Sequence, residues 1–151
     1  MSSTYNQHVG SNCIDGSINT FCHTDPNGEW PWLSLQLPPN STVSYARFTN
    51  RAECCQDRLS PFQLWVGAFP GDYNSATSAS CSRPDLGDNV NLTVPDDGTY
   101  GPYSFRCMDN GGNALVGTYL TLVLPGSSRT LHISEIYAYS PFASPSPPPP
   151  S

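Results

Sequence analysis

Charged side chains are scarce in this chain, at 12% of 151 residues, with 6 basic against 12 acidic groups and a formal net charge of −6. A balance so short of cations excludes a general nucleic-acid binder or a protein held on anionic membranes, while leaving room for a local basic site. No apolar run approaches the length needed to cross a bilayer, so membrane insertion is not expected. The opening Met1-Ser-Ser-Thr-Tyr is polar and lacks the features of an export signal; an exported form would have had its signal trimmed and a methionine added. Neither a CxxC…CxxC pair nor a Cys/His spacing suited to zinc is present. Also missing is a nucleophile–base constellation. Glu53 and Asp57 come nearest to paired carboxylates for glycoside hydrolysis, but they flank two arginines that would keep both ionised and remove the raised-pKa acid the reaction needs. The chain is read as a non-enzyme.

What is present is loop chemistry and cysteine. Six cysteines in so short a chain point to an oxidising compartment, and the triplets Asn40-Ser-Thr and Asn91-Leu-Thr suit a secretory route, so a secreted or extracellular location is expected. Abundant Gly, Pro, Ser, Thr and Asn suit a loop-rich all-β domain with one core. Leu33, Leu35 and Leu37 alternate with polar residues and predict a half-buried strand ending at Pro38-Pro39. Further strands are expected at 43–49, 62–66, 90–94, 103–107, 119–124 and 131–139, with a long decorated loop over 68–100. Residues 140–151 are a proline-rich break, Ser-Pro-Phe-Ala-Ser-Pro-Ser-Pro-Pro-Pro-Pro-Ser, favouring polyproline II. The organisation predicted is a domain over 1–139 and a linker or tail over 140–151, attached to a multidomain or multivalent parent.

The densest chemistry lies in Asn50-Arg-Ala-Glu-Cys-Cys-Gln-Asp-Arg-Leu, a loop between two strands. Arg51 and Arg58 bracket the cysteine pair, and each guanidinium offers a planar fork of donors that suits vicinal hydroxyls. Glu53 is placed to orient one of them. Cys54 and Cys55, if bonded to each other, form a small stiff ring with an apolar face for the C–H side of a sugar. Neighbouring cysteines on a strand also point to opposite faces and can take separate partners, and six cysteines allow fifteen full pairings. Near the start, Asn12, Asp15 and Ser17 form an alternating oxygen-bearing series able to hold Ca²⁺, or an ordinary Asp-Gly turn. Trp32 and Trp65 read as core, whereas Trp30 lies in a loop and is a candidate stacking platform.

The order Asn-Cys-Ile-Asp-Gly (12–16), Cys-His-Thr (22–24), Pro-Trp (31–32), Leu-Ser-Leu-Gln-Leu (33–37) and Arg-Ala-Glu-Cys-Cys-Gln-Asp-Arg-Leu (51–59) resembles the F-type lectin (fucolectin) family, within the discoidin or coagulation factor 5/8 type C superfamily. This resemblance spans roughly Ser2 to Tyr139 and implies a jelly-roll β-sandwich with disulfide bridges. It also implies a carbohydrate site of Arg51, Glu53, a Cys54–Cys55 bridge and Arg58. The family's binding histidine aligns with Thr24, next to the actual histidine, His23. A structural Ca²⁺ is implied at Asn12, Asp15, Ser17 and the segment at Phe21, joined by Ser134 and Glu135. A Cys81–Cys107 bridge follows the family pattern. Cys13 departs from it, as does Ser134, which stands where a cysteine often pairs with the one near position 22; a Cys13–Cys22 bridge is the simplest accommodation. The expected partners are fucosylated or related glycans. The alternatives are a discoidin-type adhesion module for protein or lipid, using exposed tips such as Trp30 or Phe69, and a carbohydrate-binding module appended to an extracellular enzyme.

Overall fold

A computed structural model describes residues 1–82, 89–109 and 111–140; the expected linker over 140–151 falls, beyond its first residue, outside the described residues. Strand β1 is Cys22–His23, β2 Trp32–Val43, β3 Tyr45–Asn50, β4 Gln63–Gly67, β5 Ala79–Ser80, β6 Tyr103–Arg106, β7 Leu115–Val123 and β8 His132–Tyr139. They form two four-stranded antiparallel sheets, ordered β1-β8-β3-β6 and β2-β7-β4-β5. The chain is thus all-β, as its alternating apolar pattern predicts, and its two sheets form the sandwich that the family resemblance implies.

Between the sheets, Ala46 and Phe48 of β3 and Ile133 and Ile136 of β8 meet Leu64 and Val66 of β4 and Leu120 and Leu122 of β7. Phe48, Phe62 and Phe105 pack at ring-centroid separations of 5.2 to 5.6 Å, two of the three pairs edge to face. Trp65 is buried with its indole N–H donated to Gln63, and Trp32 is half-buried.

Three local expectations need correction. Strand β2 does not stop at Pro38-Pro39; it continues to Val43 with a register shift between Gln36 and Ser41. As an edge strand it leaves one side unpaired, so two residues without N–H are tolerated beside a bulge. Residues 90–94 are not a strand; their β-type pairing is limited to the isolated bridge Phe62↔Leu92. Strand β7 starts four residues before the expected Tyr119, because the pairing of Val43, Thr42 and Ser41 with Leu115, Val116 and Gly117 extends the ladder. There Gly117 is required: a Cβ would stand 2.7 Å from the Gly67 carbonyl oxygen.

Strands β3 and β4 lie in different sheets, so residues 51–62 cross the end of the sandwich. Leu131 and Thr24, adjoining β8 and β1, reach the same end through mutual hydrogen bonds.

Candidate functional site

The crossing loop is braced from within. Asn50, fully buried, accepts the Arg51 N–H at 2.8 Å and donates to the Gln56 carbonyl at 3.1 Å. Gln56 returns its amide to the carbonyls of Arg51 and Ala52, at 2.9 and 3.2 Å. Cys54 and Cys55 are bonded to each other, with Cys55 left-handed at φ 66°, and a 3₁₀ turn over Gln56–Arg58 follows. A non-glycine residue held there costs on the order of 1–2 kcal/mol, which the side-chain bonds of Asn50 and Gln56 offset. Leu59, buried, plugs the loop into the core. The other two bridges are Cys13–Cys22 and Cys81–Cys107.

A cleft of about 480 Å³ opens beside this loop, with Arg51, Arg58, His23, Tyr5, Asn27 and Arg129 in its lining. Arg51 is held on two sides: Nε donates to Glu53 Oε1 at 2.9 Å, joined by Nη2 on the same oxygen, and the guanidinium carbon stands 4.0 Å above the centre of the Phe21 ring. The Arg58 side chain is exposed and makes no hydrogen bond or ion pair among the described residues. Arg129 donates through Nη1 to the Pro125 carbonyl and through Nη2 to the carbonyls of Arg58, Leu59 and Pro61, at 2.8 to 3.2 Å, so it clasps the loop from the opposite side.

His23 has its Nδ1 2.5 Å from the Thr24 carbonyl, which can only accept, so Nδ1 carries the proton and Nε2 is left as an acceptor. Burial lowers the His23 pKa, with Arg51, His8 and Arg58 lowering it further against that bond. Behind it, at 5.2 Å between ring centroids, His132 is 2% exposed with neither ring nitrogen partnered. Its pKa falls to about 3, first through burial and then through His23, Arg51 and Arg58.

Of the residues expected at the site, Arg51, Arg58 and His23 line one cleft. Glu53 reaches it through Arg51. Thr24 is fully buried behind the wall, its hydroxyl engaged with the backbone of Leu131. The Cys54–Cys55 ring is half-buried and is not among the groups lining the cleft. Trp30 stacks on Tyr73 at 5.8 Å, also outside that lining. Tyr5 and Arg129 were not legible as site residues: neither belongs to a motif, and only the fold carries them to the loop.

The oxygen-bearing series forms a second locus. The Ser17 N–H donates to Asp15 Oδ1 at 2.9 Å and to Glu135 Oε1 at 3.0 Å, so two carboxylates converge on one amide. Glu135 is 3% exposed and its Oε2 has no partner. Burial and then Asp15 raise its pKa, while Asp15 is lowered by hydrogen bonds from Thr20 and Ser17. Asn12 donates to the Phe21 carbonyl at 3.2 Å, and the Ser134 hydroxyl to the Ile18 carbonyl at 3.3 Å. No group of three or more His, Cys, Asp or Glu side chains placed to hold a metal ion occurs among the described residues. A cation here would rely on amide and carbonyl oxygens beside two carboxylates, a hard donor set that fits Ca²⁺, and the orphaned Glu135 oxygen fits the same group.

The family model for NedA-like, galactose-binding domains, of the F5/F8 type C class, matches residues 12–103. Fucolectin-6 of Anguilla japonica is 25% identical over 131 residues, which cover 83% of this chain and 60% of that protein. The fucolectin from striped bass (Morone saxatilis) serum superposes with a TM-score of 0.72 at 22% identity, over 92% of this chain and 45% of that one. A fucose binding module of Streptococcus pneumoniae, SpX-3, gives 0.65 at 16% identity over 92% and 90%. The chain therefore spans 60% of the first relative and 45% of the striped bass lectin. These relatives are lectins and binding modules, which are not catalysts. With more than half of its length matched by the model and its sheets superposing on theirs, the chain belongs to the family of NedA-like, galactose-binding domains of the F5/F8 type C class, with the fucolectins among its relatives.

Proposed function

We propose that the chain is a carbohydrate-binding module of a secreted, multidomain or multivalent protein, and that it takes a terminal fucose or related pyranose of extracellular glycans in the cleft between Arg51, Arg58 and His23. The convergence of these three side chains carries the reading. Two guanidinium forks donate to ring hydroxyls, while Nε2 of a neutral His23 accepts, so one hydroxyl can donate to His23 and accept from an arginine. Glu53 orients Arg51, reducing what must be ordered on binding. Tyr5, 39% exposed and 5.1 Å from the His23 ring, offers an apolar face to the C–H side of the sugar. The Cys54–Cys55 ring stiffens the loop that carries both arginines.

Charge-assisted hydrogen bonds contribute roughly 1.5–3 kcal/mol each, and association costs most of that, which places a monosaccharide at about micromolar to millimolar Kd. Avidity in a multivalent parent compensates for such weak single sites.

Ca²⁺ is proposed as a structural ion held by Asn12, Asp15, Ser17, the Phe21 segment, Ser134 and Glu135. Bound there, it supplies the positive charge that offsets two adjacent carboxylates. Three disulfides and two exposed sequon asparagines, Asn40 and Asn91, support an extracellular location. A glycan-array screen tests the assignment: retention of a defined set of terminal pyranoses is expected, and a blank array together with binding to liposomes would replace it with the adhesion reading.

A further inference from the structure

The cleft holds one arginine, Arg129, beyond the pair assigned above to ring hydroxyls. Arg51, Arg58 and Arg129 all line it, and no carboxylate belongs to the lining. The ion pair between Arg51 and Glu53 is the one ion pair among the described residues, so the charges of Arg58 and Arg129 have no carboxylate counterpart there. Asp25 and Asp57, adjacent in sequence to cleft residues, pair with neither. Arg129 is satisfied only by carbonyls, and its four bonds engage Nη2 and one N–H of Nη1, leaving Nε–H and the second Nη1–H without a partner among the described residues. All this sits in a chain of net charge −6.

We propose that this cleft prefers a pyranose carrying an anionic substituent, a carboxylate or a sulfate, over its neutral counterpart, with Arg58 and Arg129 receiving the charge. The proposal rests on the carbohydrate-binding reading above and narrows its ligand class. Carboxylate and sulfate share the chemistry required: two or more coplanar or tetrahedral oxygens that accept from a guanidinium fork. The positive field of Arg51 and Arg58 also reaches His23 in the lining and His132 behind it, acting against protonation of both. Because the protein as a whole is acidic, long-range attraction is weak, and the preference acts through contact, in slower dissociation more than in faster arrival.

The test is calorimetric titration of the full chain with D-galactose, D-galacturonate, galactose 6-sulfate and L-fucose, at low and at high NaCl. An acidic sugar is expected to bind about tenfold tighter than galactose at low salt, with the advantage shrinking to about threefold at half-molar salt. Carboxylate and sulfate arms distinguish which anion is preferred; a clear advantage in either supports the proposal. Equal or tighter binding of galactose and L-fucose overturns it while leaving the lectin reading standing. No detectable binding of any of the four overturns both. In R129Q the ratio between acidic and neutral sugar should fall toward unity, and in R129K it should persist; an unchanged ratio in a folded R129Q removes Arg129 and overturns the proposal.

Discussion

The guanidinium of Arg51 lies 4.0 Å above the ring of Phe21, and the main-chain oxygen of that same Phe21 accepts the side-chain amide of Asn12. One residue thus meets a cleft arginine with its ring and the carboxylate-bearing loop with its carbonyl. The cation–π contact contributes about 0.5–2 kcal/mol, depending on desolvation. Phe21→Leu keeps an apolar filler at a buried position and removes the π face. It should weaken monosaccharide binding by about three- to tenfold, measured by titration calorimetry, while the melting temperature changes little.

Arg51→Ala and Arg58→Ala should each abolish retention on a glycan column. Arg58 is exposed and unpartnered, so its removal should alter stability by no more than about 0.5 kcal/mol. Arg51, which holds Glu53 and covers Phe21, should cost somewhat more. A thermal melt beside the column separates binding from folding; a large fall in stability for Arg58→Ala would make it a structural residue.

His132 gives a pH dependence of known sign. Its folded pKa, about 3, lies below the ordinary histidine value of 6.5, so the unfolded chain takes up a proton that the folded one refuses. Stability is fully retained above the unfolded value and lost as pH falls from there toward the folded value, at about 1.4 kcal/mol per pH unit. Denaturant melts at pH 7.5 and 5.5 should show the fall, and His132→Phe should reduce it.

Chelation addresses the second locus. EDTA should lower the melting temperature, since an ion at a hundred times its Kd contributes about 2.7 kcal/mol. Glu135→Gln removes one of the two carboxylates and should make the protein insensitive to EDTA. Unchanged melting of the wild type in EDTA would remove calcium from this account.

The site was partly legible because part of it is local. Asn50, Arg51, Glu53, Cys54, Cys55, Gln56 and Arg58 brace one another over a few residues, and short-range hydrogen bonds with a bond between neighbouring cysteines require little of the rest of the fold. Alternation likewise marked strands such as β3 and β8, whose inward faces are apolar. The continuation of β2 through Pro38-Pro39 was hidden, since only its place at a sheet edge makes missing N–H groups harmless.

Sequence alone marked an all-β domain, from period-two patterning, and the loop that presents two arginines, from chemistry packed into ten residues, while the sandwich followed from the family resemblance those motifs carry. Tertiary structure alone decided what faces those arginines. Arg129 clasps the loop from 70 residues away, Tyr5 enters from the start of the chain, and His132 lies behind His23 because β1 pairs with β8. Such contacts depend on which strands neighbour each other, and strand order is set by burial summed over the whole core, a quantity that no short stretch of residues contains.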